Sequence, residues 1–170
     1  MGITAAVGTA AATMIVTQLV DDLRKKLGSG FALKLSNQYY KDRLENYTVV
    51  TKAGKAANPA DSFIESQWEE GWSHNFATGQ GCAGGAVWTH DNYDVMTGWF
   101  RGSPGRPFLY CDVAYPGTWR LSDDEIWAKM YGGEDYTQDR MTREYGASKL
   151  VGALGSDNGI DLCEYTLSVK

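Results

Sequence analysis

The sequence predicts a mainly β fold, a β-sandwich flanked by two helices, one before the sandwich and one set among its later strands. Three observations carry this. After residue 30 the chain runs in short stretches of alternating apolar and polar residues, punctuated by Gly, Pro, Asn and Asp. It holds 6 Trp, 10 Tyr and 5 Phe, residue types that pleated, half-buried surfaces favour. The first 28 residues differ in kind, uncharged as far as Val20 and then abruptly charged. With 170 residues, 43% hydrophobic and 22% charged, the chain suits one domain spanning 1–170, its first 28 residues a helix and 29–170 the sandwich.

Asp21, Asp22, Arg24, Lys25 and Lys26 arrive together, and Gly28-Ser29-Gly30 follows. Ile15, Leu19, Leu23 and Leu27 recur every fourth residue, with Val16 and Val20 beside them, which draws one apolar stripe along a helix. The spacing predicts a helix from Ile3 to Leu27, roughly 37 Å long against a hydrocarbon core of about 30 Å. Three readings stand: a helix packed on its own domain, a cleaved signal, or a membrane-active helix. The signal reading lacks a basic leading region, since the first cation is Arg24. On the membrane reading the inserting residues are Ile3, Val7, Met14, Ile15, Val16, Leu19, Val20, Leu23 and Leu27, hinged at Gly28 and Gly30.

The later elements follow in order. Phe31–Ser36 and Tyr47–Thr51 read as strands, separated by a polar loop with Tyr39 and Tyr40, and Lys52–Pro59 as a loop. Gly84–His90 and Asp94–Phe100 read as two strands joined near Asp91-Asn92. Ser103-Pro104-Gly105 is a turn, Phe108–Ala114 the most apolar strand, and Pro116-Gly117 its end. Ile126–Tyr131 reads as a strand and Tyr136–Tyr145 as a short helix closed by Gly146. Ser156-Asp-Asn-Gly159 is a strong turn before a final strand, Asp161–Val169.

A net charge of −5 with no basic face argues against nucleic acid and against long-range attraction to anionic lipid. Tyr and Trp suit water–apolar boundaries, though a β-rich core collects them too. Cys82, Cys111 and Cys163 are far apart and form neither a disulfide framework nor a zinc motif. They read as three buried thiols, or one bridge and a spare. No phosphate-binding glycine loop, zincin motif or nucleophile elbow is present, and His74 and His90 fall on different predicted strands. The chain reads as a non-enzyme without cofactor or metal. The run Asp123-Asp124-Glu125 lacks the spaced ligands of an EF-hand and reads as a solvated loop.

From residue 84 onward the chain resembles the actinoporins, sea-anemone pore-forming toxins, and their actinoporin-like relatives. Gly84-Gly-Ala-Val87 is similar to the family's T-G-A-V strand start. Leu109 to Pro116, Trp119 and Ile126-Trp-Ala-Lys-Met-Tyr131 resemble a strand, proline turn, aromatic loop and N-V-K-I-Y strand. Gln138-Asp-Arg-Met141 resembles the A-D-Q-x-M helix, Asp157-Asn-Gly159 the D-N-G turn, and Leu167–Lys170 the last strand. The resemblance implies a β-sandwich flanked by two helices, secretion as a soluble protein, docking on membrane lipids, and insertion of the N-terminal helix into an oligomeric pore.

It also implies a phosphocholine pocket, for sphingomyelin or another phosphocholine lipid, made from a Val, a Ser, a Pro and several Tyr. Val87 and Pro116 match the Val and Pro. Ala114, Ser122 and Thr142 stand where the family has Ser, Tyr and Tyr, and Tyr145 is one place out of register beside Gly146 and Ala147. Tyr115 and Trp119 are the substitutes at hand, so the headgroup residues expected are Val87, Tyr115, Pro116, Trp119 and Tyr145. Residues 123–125 should resist docking on anionic lipid, so binding should strengthen from pH 7.5 to pH 5. The alternative is a glycan- or headgroup-binding module without pore activity. Fungal fruit-body lectins resemble the same sandwich, and Tyr39, Tyr40, Trp119 and the acidic loop would then meet the glycan. A third reading is a relative that has lost membrane activity and serves protein interaction.

Overall fold

The computed structural model describes residues 2–26, 29–39, 41–77 and 79–170. In chain order its elements are β1 (Ile3–Ala6), α1 (Ala10–Lys26), β2 (Gly30–Asn37), β3 (Leu44–Ala53), β4 (Lys55–Asn58), β5 (Phe63–Ile64) and β6 (Trp68–Asn75). Then come β7 (Cys82–His90), β8 (Tyr93–Arg101), β9 (Phe108–Ala114), α2 (Asp123–Gly132), β10 (Arg140–Tyr145), β11 (Ser148–Asp157) and β12 (Ile160–Val169). Among the described residues these strands form two sheets. One runs β1-β6-β2-β12-β11-β10 with β4 also on β6, the other β5-β3-β7-β8-β9. This is the β-sandwich flanked by two helices that the sequence predicts.

Burial explains the layers. Trp72, Trp88, Trp99, Leu33, Leu35, Leu109, Leu150 and Tyr165 fill the space between the sheets. The outer face of the first sheet carries α1, whose Ala12, Ile15, Leu19, Val20 and Leu23 meet Ala5, Ala32 and Ile160. The outer face of the second carries α2, whose Ile126 and Met130 meet Val50, Val87, Met96 and Trp119. The expected strands at 31–36, 47–51, 84–90, 94–100, 108–114 and 161–169 lie within β2, β3, β7, β8, β9 and β12. Asn158 and Gly159, both at positive φ (50° and 83°), make the two-residue turn joining β11 to β12. The three cysteines are buried free thiols. Burial pushes Cys82 and Cys111 up to about 12 and raises Cys163 as well, which keeps them inert.

Four expectations are corrected. The predicted N-terminal helix does not begin at Ile3. Ile3–Ala6 pairs instead with Gly71–Trp68 of β6, Val7 lies in the following turn, and the helix starts at Ala10. The Thr9 hydroxyl accepts the Ala12 N–H at 3.2 Å, which caps the true start. Lys55–Asn58, read as loop, is a strand on β6. Ile126–Tyr131 is helical, because Ser122 and Glu125 form a reciprocal capping box and Ile126 and Met130 are buried at i, i+4 spacing. Residues 140–145, read as helix, are strand β10. There Gly146-Ala147 is the turn of a hairpin that pairs Tyr145 with Ser148, rather than a helix stop.

Candidate functional site

One end of the sandwich, the basal end, gathers the starts of β2, β7, β9 and β12 and the ends of β3, β6 and β8. The run Arg24-Lys25-Lys26 that closes α1 leads to this end, four residues before Gly30 opens β2. α2 runs toward it as well, and its last turn brings aromatic side chains onto the end of β8. Trp127 and Tyr131 are four residues apart on α2 and stack at 5.3 Å between ring centroids. Tyr131 stacks in turn on Tyr136 at 6.0 Å. Phe100 stacks on Phe108 at 5.0 Å and meets Tyr136 edge-on at 4.7 Å and Tyr131 at 5.4 Å. Five rings from β8, β9, α2 and the segment after α2 thus form one cluster, and Tyr131 is 47% exposed at its rim.

A cavity of about 290 Å³ opens beside these rings, lined by Phe100, Trp127, Tyr131, Lys52, Arg101 and Gln80 among others. Lys52 is exposed and 3.9 Å from Asp124. Arg101 is held in place by Asp161 at 3.1 Å and by donating from Nε to the Gly105 carbonyl at 3.0 Å. Aromatic faces attract cations, and guanidinium and ammonium groups bind phosphate. The site therefore offers both halves of a zwitterionic headgroup a partner within one cavity.

The residues expected from the sequence lie elsewhere. Val87 is buried beneath α2. Trp119 is buried there too. Its Nε1 donates to Asp112 at 2.9 Å, and the Lys129 ammonium lies 4.4 Å from its ring centroid, so the indole packs inside and does not reach a surface. Tyr115 is 61% exposed and Pro116 is exposed, both past the far end of β9. Tyr145 joins Tyr39, Tyr93 and Ser148 around a separate cavity of about 270 Å³. Tyr39 is tied to Ser148 by a 2.6 Å hydroxyl bond, while Tyr40 lies outside the described residues. Asp123-Asp124-Glu125 is the first turn of α2 rather than a loop. The two hydrogen bonds from Ser122 hold the Glu125 carboxyl below its usual range. Glu125 therefore keeps its charge at pH 5, which removes part of the basis for acid-strengthened binding.

On the N-terminal candidates, Ile15, Leu19, Val20 and Leu23 are buried against the sheet and Val16 is half-buried, while Met14 is 52% exposed. Leu27 and Gly28 lie outside the described residues. Gly30 is no open hinge: it pairs with Asn75 inside β2, where a Cβ would run into the His74 carbonyl. Among the described residues no helix is long and apolar enough to cross a membrane. Nor are three or more His, Cys, Asp or Glu side chains grouped to hold a metal ion.

Reading by sequence missed Phe100, Phe108, Trp127, Tyr131 and Tyr136. The signal was present as Ser122-x-x-Glu125, a capping box, followed by Trp127 and Tyr131 at helical spacing.

The fold has a counterpart of known structure. The crystal structure of the lipid binding protein Nakanori matches with a TM-score of 0.75, over 92% of this chain and 78% of that one, at 18% identity. No protein-family model matches the chain, and no curated protein matches its sequence.

Proposed function

We propose that the protein binds membrane lipid through its basal end, the aromatic cluster taking a quaternary ammonium headgroup. The observation that carries this is the ring wall of Phe100, Trp127 and Tyr131 around a cavity that also holds Lys52 and Arg101. Choline would lie on the aromatic faces and its phosphate on the two cations. A phosphocholine lipid such as sphingomyelin meets that description. The lipid-binding activity named for the structural counterpart supports the same reading.

Vesicle co-sedimentation tests it, with phosphatidylcholine and sphingomyelin vesicles against vesicles of uncharged glycolipid. Tyr131→Ala and Trp127→Ala should each weaken binding to the choline lipids about tenfold or more, the scale of one or two lost cation–π contacts in a desolvated site. Wild-type binding in both variants would sink the proposal.

Pore formation through α1 is the second reading, and one observation favours it. The apolar residues of α1 form their own cluster on the outside of the sheet and add nothing to the core between the sheets. Leaving would cost the α1 contacts and the β1–β6 pairing, and would leave the sandwich interior intact. The 17-residue helix alone spans about 25 Å, short of a bilayer core, so residues on either side and several protomers would have to complete a pore. Met14→Asp should keep the fold and vesicle binding, because Met14 is exposed, yet abolish dye release by placing a charge in hydrocarbon. Undiminished release would remove α1 from the mechanism.

A further inference from the structure

A second cavity, about 500 Å³, opens away from the basal end, where the edges of the two sheets meet. Thr4 of β1, Asp61 of the β4–β5 connection, Phe63 of β5, and Glu65 and Trp68 lie in its wall. Trp68 is 40% exposed and Phe63 36%, large aromatic surfaces turned to water at one place. The backbone there is held deliberately. Gln67, just before Trp68, is left-handed at φ +63°, a conformation non-glycine residues keep only where their surroundings impose it. The Val7 N–H donates to the Gln67 carbonyl at 2.8 Å, and the Trp68 N–H to the Glu65 carbonyl at 3.2 Å, so the turn sets the direction in which the indole leaves the strand.

The rim already binds one cation of its own. The Arg43 guanidinium lies 3.7 Å from the Phe63 ring centroid and bridges to Glu45 at 2.8 Å and Glu65 at 3.4 Å. Trp68 and Asp61 line the same cavity, and among the described residues no side-chain cation bridges to Asp61 or lies over the Trp68 ring. Asp61 accepts the Gly2 N–H at 3.2 Å on one oxygen and donates its own N–H to Glu70 at 2.7 Å. Burial keeps a proton on the Glu70 carboxyl behind it, so the charge at this point of the wall is that of Asp61. Carboxylates at the rim repel phosphate, which separates this cavity in kind from the basal one.

We propose that this cavity binds a primary alkylammonium group, its methylenes on Trp68 and its N–H donors on the Asp61 carboxylate. A free polyamine and the lysine side chain of a partner protein share that chemistry. Calorimetric titration of the full chain with spermidine and with N-acetyl-lysine amide tests it, with galactose and phosphocholine as comparators. At least one amine should bind with millimolar affinity or better, more weakly at high salt. Trp68→Ala and Asp61→Asn should each cost about tenfold, and Tyr131→Ala, which removes the basal ring, should change nothing. Tighter binding of spermidine assigns the site to a free polyamine, and tighter binding of the lysine derivative to a partner's side chain. No heat with either amine at about 10 mM overturns the proposal. So does galactose binding as well as the amines, affinity unchanged in both cavity variants, or loss of binding in Tyr131→Ala.

Discussion

Asp94 is fully buried yet spends its whole carboxylate on one loop. Its Oδ2 accepts the N–H groups of Gly117 and Trp119 at 2.9 and 3.0 Å, and its Oδ1 accepts from Arg120 Nε at 2.9 Å. Those bonds seat Trp119 under α2, and α2 carries Trp127 and Tyr131 to the basal cavity. Asp94 is thus one residue removed from the site it supports. Asp94→Ala leaves the buried Trp119 amide, the Gly117 amide and a guanidinium without their acceptor. Removing one partner of a buried pair costs several kcal/mol, and with Arg120 partly exposed about 3 kcal/mol is expected, near 10 °C in Tm at this length. Thermal unfolding followed by circular dichroism checks it; a change under about 2 °C would mean the loop is held by other contacts. Nothing in the spacing of Asp94 and Trp119 announces this bond, because it joins residues that only the β8–β9 pairing brings together.

At the scale of elements, the two helical predictions had unequal fates. α1 was legible because its stripe at Ile15, Leu19 and Leu23 keeps one period and one face. Its first turn was misplaced because the Ala- and Thr-rich stretch before it has no period of its own. Whether such residues make a strand is decided by the open edge of β6. α2 and β10 were exchanged because a short run with apolar residues at several spacings fits either period, and the resemblance favoured the wrong one. Ile126-Trp-Ala-Lys-Met-Tyr131 alternates weakly, and only the capping box and the apolar floor of Val50, Val87 and Met96 select the helix. The packing of α1 yields a sharp expectation. Leu19→Asp places a charge at a site with no exposure and should cost several kcal/mol, about 3–5. A variant as stable as the wild type in urea would mean that α1 is barely docked. Deleting the first 28 residues is no clean test of pore formation for the same reason, since it strips Ala32 and Ile160 of their cover.

Over the whole molecule, two buried groups set opposite pH dependences. Burial lowers His74 from 6.5 to about 4, so the unfolded chain takes a proton that the folded one refuses, and stability is lost as pH falls from 6.5 toward 4. Burial raises Glu70 from 4.5 to about 8, so the folded chain keeps a proton that the unfolded one gives up, and stability is lost as pH rises from 4.5 through 8. The two slopes cancel between pH 4.5 and 6.5 and leave Glu70 alone above. Tm should stay level across that window and fall by the equivalent of about 1–2 kcal/mol from pH 6.5 to pH 8. Glu70→Gln, which can still accept the Asp61 N–H, should abolish the alkaline fall. An unchanged fall in that variant would assign it to other groups.

The class of fold, the amphipathic stripe of α1, six of the strands and the burial of the cysteines are legible in the chain alone. Each of these is written in a local period or in a residue type whose burial is nearly obligatory. The candidate site exists only in the folded chain. Phe100, Phe108, Trp127, Tyr131 and Tyr136 come from four separate segments and become neighbours only when the sheet brings β8 beside β9 and the capped helix lies across them. The same physics removed Trp119 and Val87 from the surface. An aromatic or apolar side chain looks alike in sequence whether it faces lipid or core, and the face is chosen by what packs over it.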